Sequence, residues 1–165
     1  MATDPANDDV LRLVGAIDWA AYEMSPSAEW YHPDEVPAAF ERLISASTRK
    51  QGDAAYDAML FAVGNSHAGL LYPAAAAAAP LVVRVARECD GWARWAALEI
   101  LCEMTSFSVD REQFIDPTGR IVNTKEAIIA EIQSLRGDLE RIAARLDPDP
   151  VPTAQSARDL LEYLD

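Results

Sequence analysis

The chain has 165 residues, half of them hydrophobic and a quarter charged, enough for one domain with a real core or one short array of repeats. A formal charge of −13 repels phosphates and excludes nucleic acid as an expected direct ligand. Thirty alanines, with no alternating runs of β-branched and aromatic residues between turns, exclude a sheet-dominated fold and favour helices.

In chain order, residues 1 to 7 read as frayed, and residues 8 to 165 as one helical domain. From Asp8 to about Glu23, Val10, Leu13, Val14, Ile17 and Ala21 recur at three and four and predict an amphipathic helix. Pro26 and Pro33 punctuate the segment that follows. Asp34 is expected to cap the next helix, with Pro37 in its first turn, where a missing N–H costs nothing. A third helix fits "GDAAYDAMLFAVGN", with Gly64-Asn65 as a left-handed stop. In "YPAAAAAAPLVV" Pro73 opens a helix running to about Cys89. Pro80 then deletes the bond to the Ala76 carbonyl and predicts a kink, which the alanines hold by intrinsic propensity.

"WARWAALEILCEM" is apolar nearly all round and predicts a helix lying between other helices. A long connection is expected from Ser106 to Thr124, with "DPTG" at residues 116–119 as a type I turn. Asn123 and Glu126 resemble a capping box. Ile128, Ile132, Leu135, Leu139, Ile142 and Leu146 then repeat at four and three along one helix, interrupted by Gly137 at a cost of about 1 kcal/mol. "DPDPVP" at residues 147–152 reads as a rigid linker, and Thr153 as the cap of a closing helix through Leu164. Seven helices in consecutive pairs predict an all-α fold, with a short α-solenoid of antiparallel pairs favoured over a compact bundle.

Trp30-Tyr31, "DEVPAAFERLI" and "AMLFAVGNSHAGLLYPAAAAAAPLVV" resemble small bacterial HEAT-repeat-like proteins. Asp34, Val36, Pro37, Gly64, Asn65, His67, Gly69, Tyr72 and Pro80 carry the resemblance, while Ala68, Glu35 and Pro152 depart from the pattern. It implies an α-helical solenoid acting as a binding scaffold, in some cases of the immunity-protein type encoded beside a toxin.

Catalytic chemistry finds little support in the residues. His67 lies in a loop beside Ser66 and is expected to bond backbone groups at neighbouring helix ends. A site centred on it is the least favoured reading. The two histidines, His32 and His67, have no metal-ligand spacing, the seven glycines form no phosphate-cradling pattern, and no cofactor is expected. Cys89 and Cys102 read as buried free thiols of a reducing compartment. The acidic N-terminal segment lacks the basic patch and apolar run of a signal peptide, and no segment reaches the roughly 20 apolar residues of a membrane span. A cytoplasmic location without membrane association is expected.

Charge distribution supplies the sharper signal. Residues 1 to 41 hold nine acids against one base, Arg12. Asp18, Glu23, Glu29, Asp34 and Glu35 are the candidate contacts to a basic protein partner, with Trp30, Tyr31 and His67 as flanking anchors. The leading expectation is a non-enzymatic binding module that masks a basic toxin domain, as a monomer or weak homodimer. The alternative is a self-associating scaffold that uses the 128–146 heptad face.

Overall fold

A computed structural model describes residues 5–145 and 150–165. Helix α1 spans Pro5–Gly15, followed by a 3-10 turn at Trp19–Tyr22. Then come α2 (Glu35–Ile44), α3 (Arg49–Ala62), β1 (Gly64–Asn65), β2 (Leu70–Leu71), α4 (Ala74–Glu88) and α5 (Gly91–Ser106). The remainder is β3 (Ser108–Val109), β4 (Gln113–Ile115), β5 (Ile121–Asn123), α6 (Thr124–Gln133), α7 (Arg136–Ala143) and α8 (Thr153–Leu164). The fold is mostly helical, with eight α-helices among the described residues rather than seven, and with a few very short strands.

Several boundaries depart from the sequence reading for local reasons. The first helix starts at Pro5, where a proline is well tolerated, and stops at Gly15 rather than Glu23. The Trp19 indole turns back to donate Nε1–H to the Val14 carbonyl at 3.0 Å, which folds the rest of the expected helix into a separate turn that buries Trp19 and Tyr22. Asp34 is already helical in backbone and its side chain accepts no capping bond. Thr48 does cap α3, accepting the Gln51 N–H on Oγ1 at 3.3 Å. Thr153 is the first residue of α8 and not its cap.

The 106–124 connection is not structureless. β1 pairs antiparallel with β2, β2 parallel with β3, and β4 antiparallel with β5 across the 116–119 turn. At that turn the Gly119 N–H donates to the Asp116 carbonyl at 2.9 Å, and Gly119 takes a φ of 87°. Asn123 caps α6 as expected, its Oδ1 accepting the Glu126 N–H at 3.1 Å.

The long heptad helix divides. Ser134 bonds back to Glu131 through its hydroxyl, and the Leu135 N–H reaches Ile132 O at 3.0 Å, so the chain turns between α6 and α7. Ile128, Ile132, Leu135, Leu139 and Ile142 are all buried in the protein's own core. The face offered for self-association is therefore not a surface; Leu146 and the 147–149 part of the linker lie outside the described residues.

Helices pack in consecutive pairs, α2 on α3, α4 on α5 and α7 on α8, while α6 lies on α4. At the centre α5 meets α3, α4 and α8, which explains an apolar character on most of its sides. The alanine run places Ala74, Ala75, Ala78 and Ala79 in the core, and α4 continues through Pro80 without interruption.

A second pattern closes the helices. The Arg94 guanidinium, itself buried, donates to the Ala86 and Arg87 carbonyls at the end of α4. Lys125 donates to Met104, Thr105 and Phe107 O at the end of α5. Arg87 reaches Ser134 O after α6, Arg158 reaches Ala143 O in α7, and Arg136 reaches Leu164 O in α8. Each is a cation on the negative end of another helix's dipole, satisfying carbonyls that have no intrahelical partner.

Candidate functional site

The acidic strap between α1 and α2 is built around one aromatic knot. Tyr31 is 2 % exposed, and its hydroxyl donates to the Trp19 carbonyl at 2.8 Å. Tyr31 also meets Tyr72 edge-on at 6.1 Å, and Trp19 lies against Phe40. Burial raises the Tyr31 phenol well above its ordinary value, with Tyr22, Glu23 and Asp18 adding to the effect. Asp18 and Glu23 bracket the 3-10 turn and point to solvent.

The Trp30-Tyr31 pair therefore splits. Tyr31 is the internal clasp, and Trp30, 60 % exposed, is the outward side chain. Glu29 precedes it, and Asp34 and Glu35 follow at the start of α2, all three exposed. None of these five carboxylates forms an ion pair with a described base, and most of the arginines are engaged on helix ends or with other acids.

His67 sits on the exposed turn between β1 and β2, where the Asn65 side chain, not the histidine, accepts a backbone bond, from Ala68 N–H at 3.2 Å. The imidazole instead packs edge-on against Phe61 at 6.1 Å. Phe61 is 56 % exposed and lines a groove of about 250 Å³ with Glu35, Ala38, Ala39, Arg42 and Ala58. The fold thus links Glu35 and His67 through a phenylalanine that sequence reasoning passed over. Its signal lay in the wheel of α3. Gly52, Ala55, Met59 and Ala62 form the buried face, and Phe61 falls on the other side.

A second anionic region lies between α5 and α8. Glu99, Cys102, Glu103, Asp159, Glu162 and Tyr163 line a groove of about 490 Å³. Tyr56 Oη donates to Glu103 at 2.9 Å and Ser156 Oγ to Glu99 at 2.5 Å, which fix these two carboxylates. Burial pushes the Cys102 thiol up to about 12, helped by Glu99, Asp159 and Glu103, so it stays protonated and inert as a nucleophile at neutral pH. Cys89 and Cys102 form no disulfide, as expected, but only Cys89 is buried outright, Cys102 being half-buried. Trp92 and Trp95 meet edge-on at 5.4 Å, and the Trp95 ring covers Gly52 of α3.

Asp110, just after β3, carries buried carboxylate oxygens that lack a hydrogen-bond partner. Burial raises its pKa, opposed by the neighbouring Ser27 hydroxyl, which stops short of full bonding geometry, and by the Arg111 charge. The folded state then binds more protons than the unfolded one above pH 3.8, so stability falls as pH rises through the raised pKa. Asp110→Asn is expected to stabilise the protein at pH 7 by about 1 kcal/mol, a gain that shrinks near pH 4. Thermal melts at the two pH values check this, and an unchanged or lower melting temperature at pH 7 refutes it.

Among the described residues, no helix is long and apolar enough to cross a membrane. No family model matches the chain, and neither a curated protein nor a solved structure matches it.

Proposed function

We propose that this protein is a non-catalytic binding module that docks on a basic protein surface and occludes it, in the manner of an immunity protein masking a toxin domain. The observation that carries this reading is Trp30, held outward by the buried Tyr31 and flanked by exposed, unpaired carboxylates at Glu23, Glu29, Asp34 and Glu35. Aromatic side chains are effective interface anchors, and unneutralised carboxylates beside one favour an Arg/Lys-rich partner. Asp18 and His67, both exposed, complete the set of contacts this reading assigns. The consecutive helix pairs support a short α-solenoid as its frame, related to the HEAT-like proteins that the sequence resembles.

The test is association kinetics with the basic protein recovered from a lysate of the source cells. The on-rate is expected to fall by roughly ten-fold between 50 and 300 mM salt, and Trp30→Ala to weaken affinity by about 2 kcal/mol. A rate indifferent to salt removes the electrostatic mechanism. A partner that binds the Trp30→Ala chain unchanged removes the site.

A further inference from the structure

The surface of the α2–α3 pair carries a trough between the two helices. Glu35, Ala38 and Arg42 on α2, with Ser45 just after it, recur at three and four, and so do Gln51, Ala54, Ala58 and Phe61 on α3, all of them exposed except the half-buried Ala58. Two cavities join at Arg42. One of about 250 Å³ is bounded by Glu35, Ala38, Arg42, Ala58 and Phe61, and the next, of about 280 Å³, by Arg42, Ser45, Gln51 and Ala54. These lining sets show the helices running antiparallel, with the start of α2 beside the end of α3. At 1.5 Å per residue the trough from Glu35 to Ser45 is about 15 Å long, some three turns of helix.

Its floor is small and apolar, with Ala38, Ala39 and Ala58, so a helix backbone can approach closely. Its wall is Phe61, half of whose ring faces water and whose other neighbour is the exposed His67. Its charges differ in sign. Glu35 stands at one end, and Arg42 follows seven residues later, about 10 Å along. Neither carries an ion pair with a described residue, although most other arginines of the chain do.

We infer that this groove takes an amphipathic α-helix from the protein partner, bearing a lysine or arginine opposite Glu35, an acid opposite Arg42, and leucine-like side chains between them against Phe61. The inference rests on the protein-binding reading above and adds to it the partner's element and its charge register. Complementary charge at both ends is what distinguishes such a helix from a merely basic ligand, which Arg42 would repel.

A synthetic helical peptide of about 16 residues serves as probe, with lysine and glutamate seven residues apart and two leucines between. Fluorescence anisotropy of the labelled peptide against the full chain is expected to saturate. Ala38→Trp, an exposed position that fills the trough, is expected to weaken binding by roughly ten-fold or more. Arg42→Glu is expected to weaken it similarly, and a peptide with lysine at both charged positions to recover the loss on that variant alone. Glu140→Gln, at an exposed position of α7, is expected to leave peptide binding unchanged.

Absence of saturable binding, or binding insensitive to both groove substitutions, overturns the inference. So does sedimentation showing a dimer that Ala38→Trp dissociates, which assigns the trough to a second copy of the chain. A basic partner lost with Trp30→Ala but indifferent to Ala38→Trp leaves the docking reading standing without the groove. A peptide that binds in register, alongside a partner whose on-rate ignores salt, leaves the groove standing without that reading.

Discussion

Lys125→Met is expected to lower the melting temperature by about 6–12 °C, one of two strong effects, through a loss of about 3 kcal/mol. The ammonium lies under the end of α5, with Nζ 2.8, 2.7 and 2.6 Å from the carbonyl oxygens of Met104, Thr105 and Phe107. Three donors thus meet three acceptors, and a methionine of similar length leaves all three oxygens unsatisfied. Each charge-assisted bond contributes about 1.5–3 kcal/mol when it cannot be replaced. The residues around Lys125 form an open groove with Glu112, Asn123 and Glu126, so water recovers part of the loss. Burial pulls the ammonium below its ordinary pKa, while the carbonyl cradle and the negative helix end favour the charged form and oppose that pull. Lys125→Arg is expected to fall between the two, because a planar guanidinium does not converge on three carbonyls as a tripod does. A melt of Lys125→Met within 2 °C of wild type would show that these bonds carry no net stability.

Five basic side chains close the ends of helices other than their own, and this explains both stability and surface charge. Those five bases, and others held by acids such as Asp90 and Asp138, do not neutralise the strap between α1 and α2, where Arg111 alone of the described arginines donates, to the Ser25 carbonyl. The anionic exterior at Glu23, Glu29, Asp34 and Glu35 is thus partly a consequence of how the helices are capped.

The sequence disclosed those boundaries where a residue's own chemistry decides the backbone. Pro73 before α4, Asp116 to Gly119 in the hairpin turn and Asn123 at the start of α6 all act within four residues, so the chain alone reveals them. Features decided by distant partners stayed hidden. The 3-10 turn depends on where the Trp19 indole finds an acceptor, and Lys125 looks like any surface lysine until the end of α5 is brought to it from 18 to 21 residues away. The heptad spacing runs unbroken through Ser134 and Leu135, so hydrophobic period could not show that one apolar stripe serves α4 through α6 and α8 through α7. At the candidate site, Trp30 and Tyr31 were visible as a pair, but only packing separates the clasp from the anchor. The α2–α3 groove was the least legible, because alanines at 38, 54 and 58 look equally suited to a core.

Gly64→Ala is the second large effect and tests a correction to the sequence reading. Gly64 does not end α3 in a left-handed conformation, since the glycines with positive φ among the described residues are Gly69, Gly91 and Gly119. It is instead the first residue of β1, paired with Leu71, and the carbonyl of Leu70 crosses it so closely that a Cβ would lie 2.3 Å from the oxygen. A second carbonyl, of Leu60, stands 3.3 Å away. Both obstacles are backbone, so no rotamer change relieves them, and the strand pair must open. A loss of about 3 kcal/mol is expected, or about 6–12 °C in melting temperature. The displaced hairpin carries His67 away from Phe61, so hydrogen exchange at Leu70, Leu71 and Tyr72 is expected to accelerate before the helices melt. Gly119→Ala is the contrasting control, because its Cβ meets nothing within 4 Å and only the φ of 87° is strained. If Gly64→Ala lost no more stability than Gly119→Ala, close approach of the Leu70 carbonyl would not be the reason for glycine at position 64.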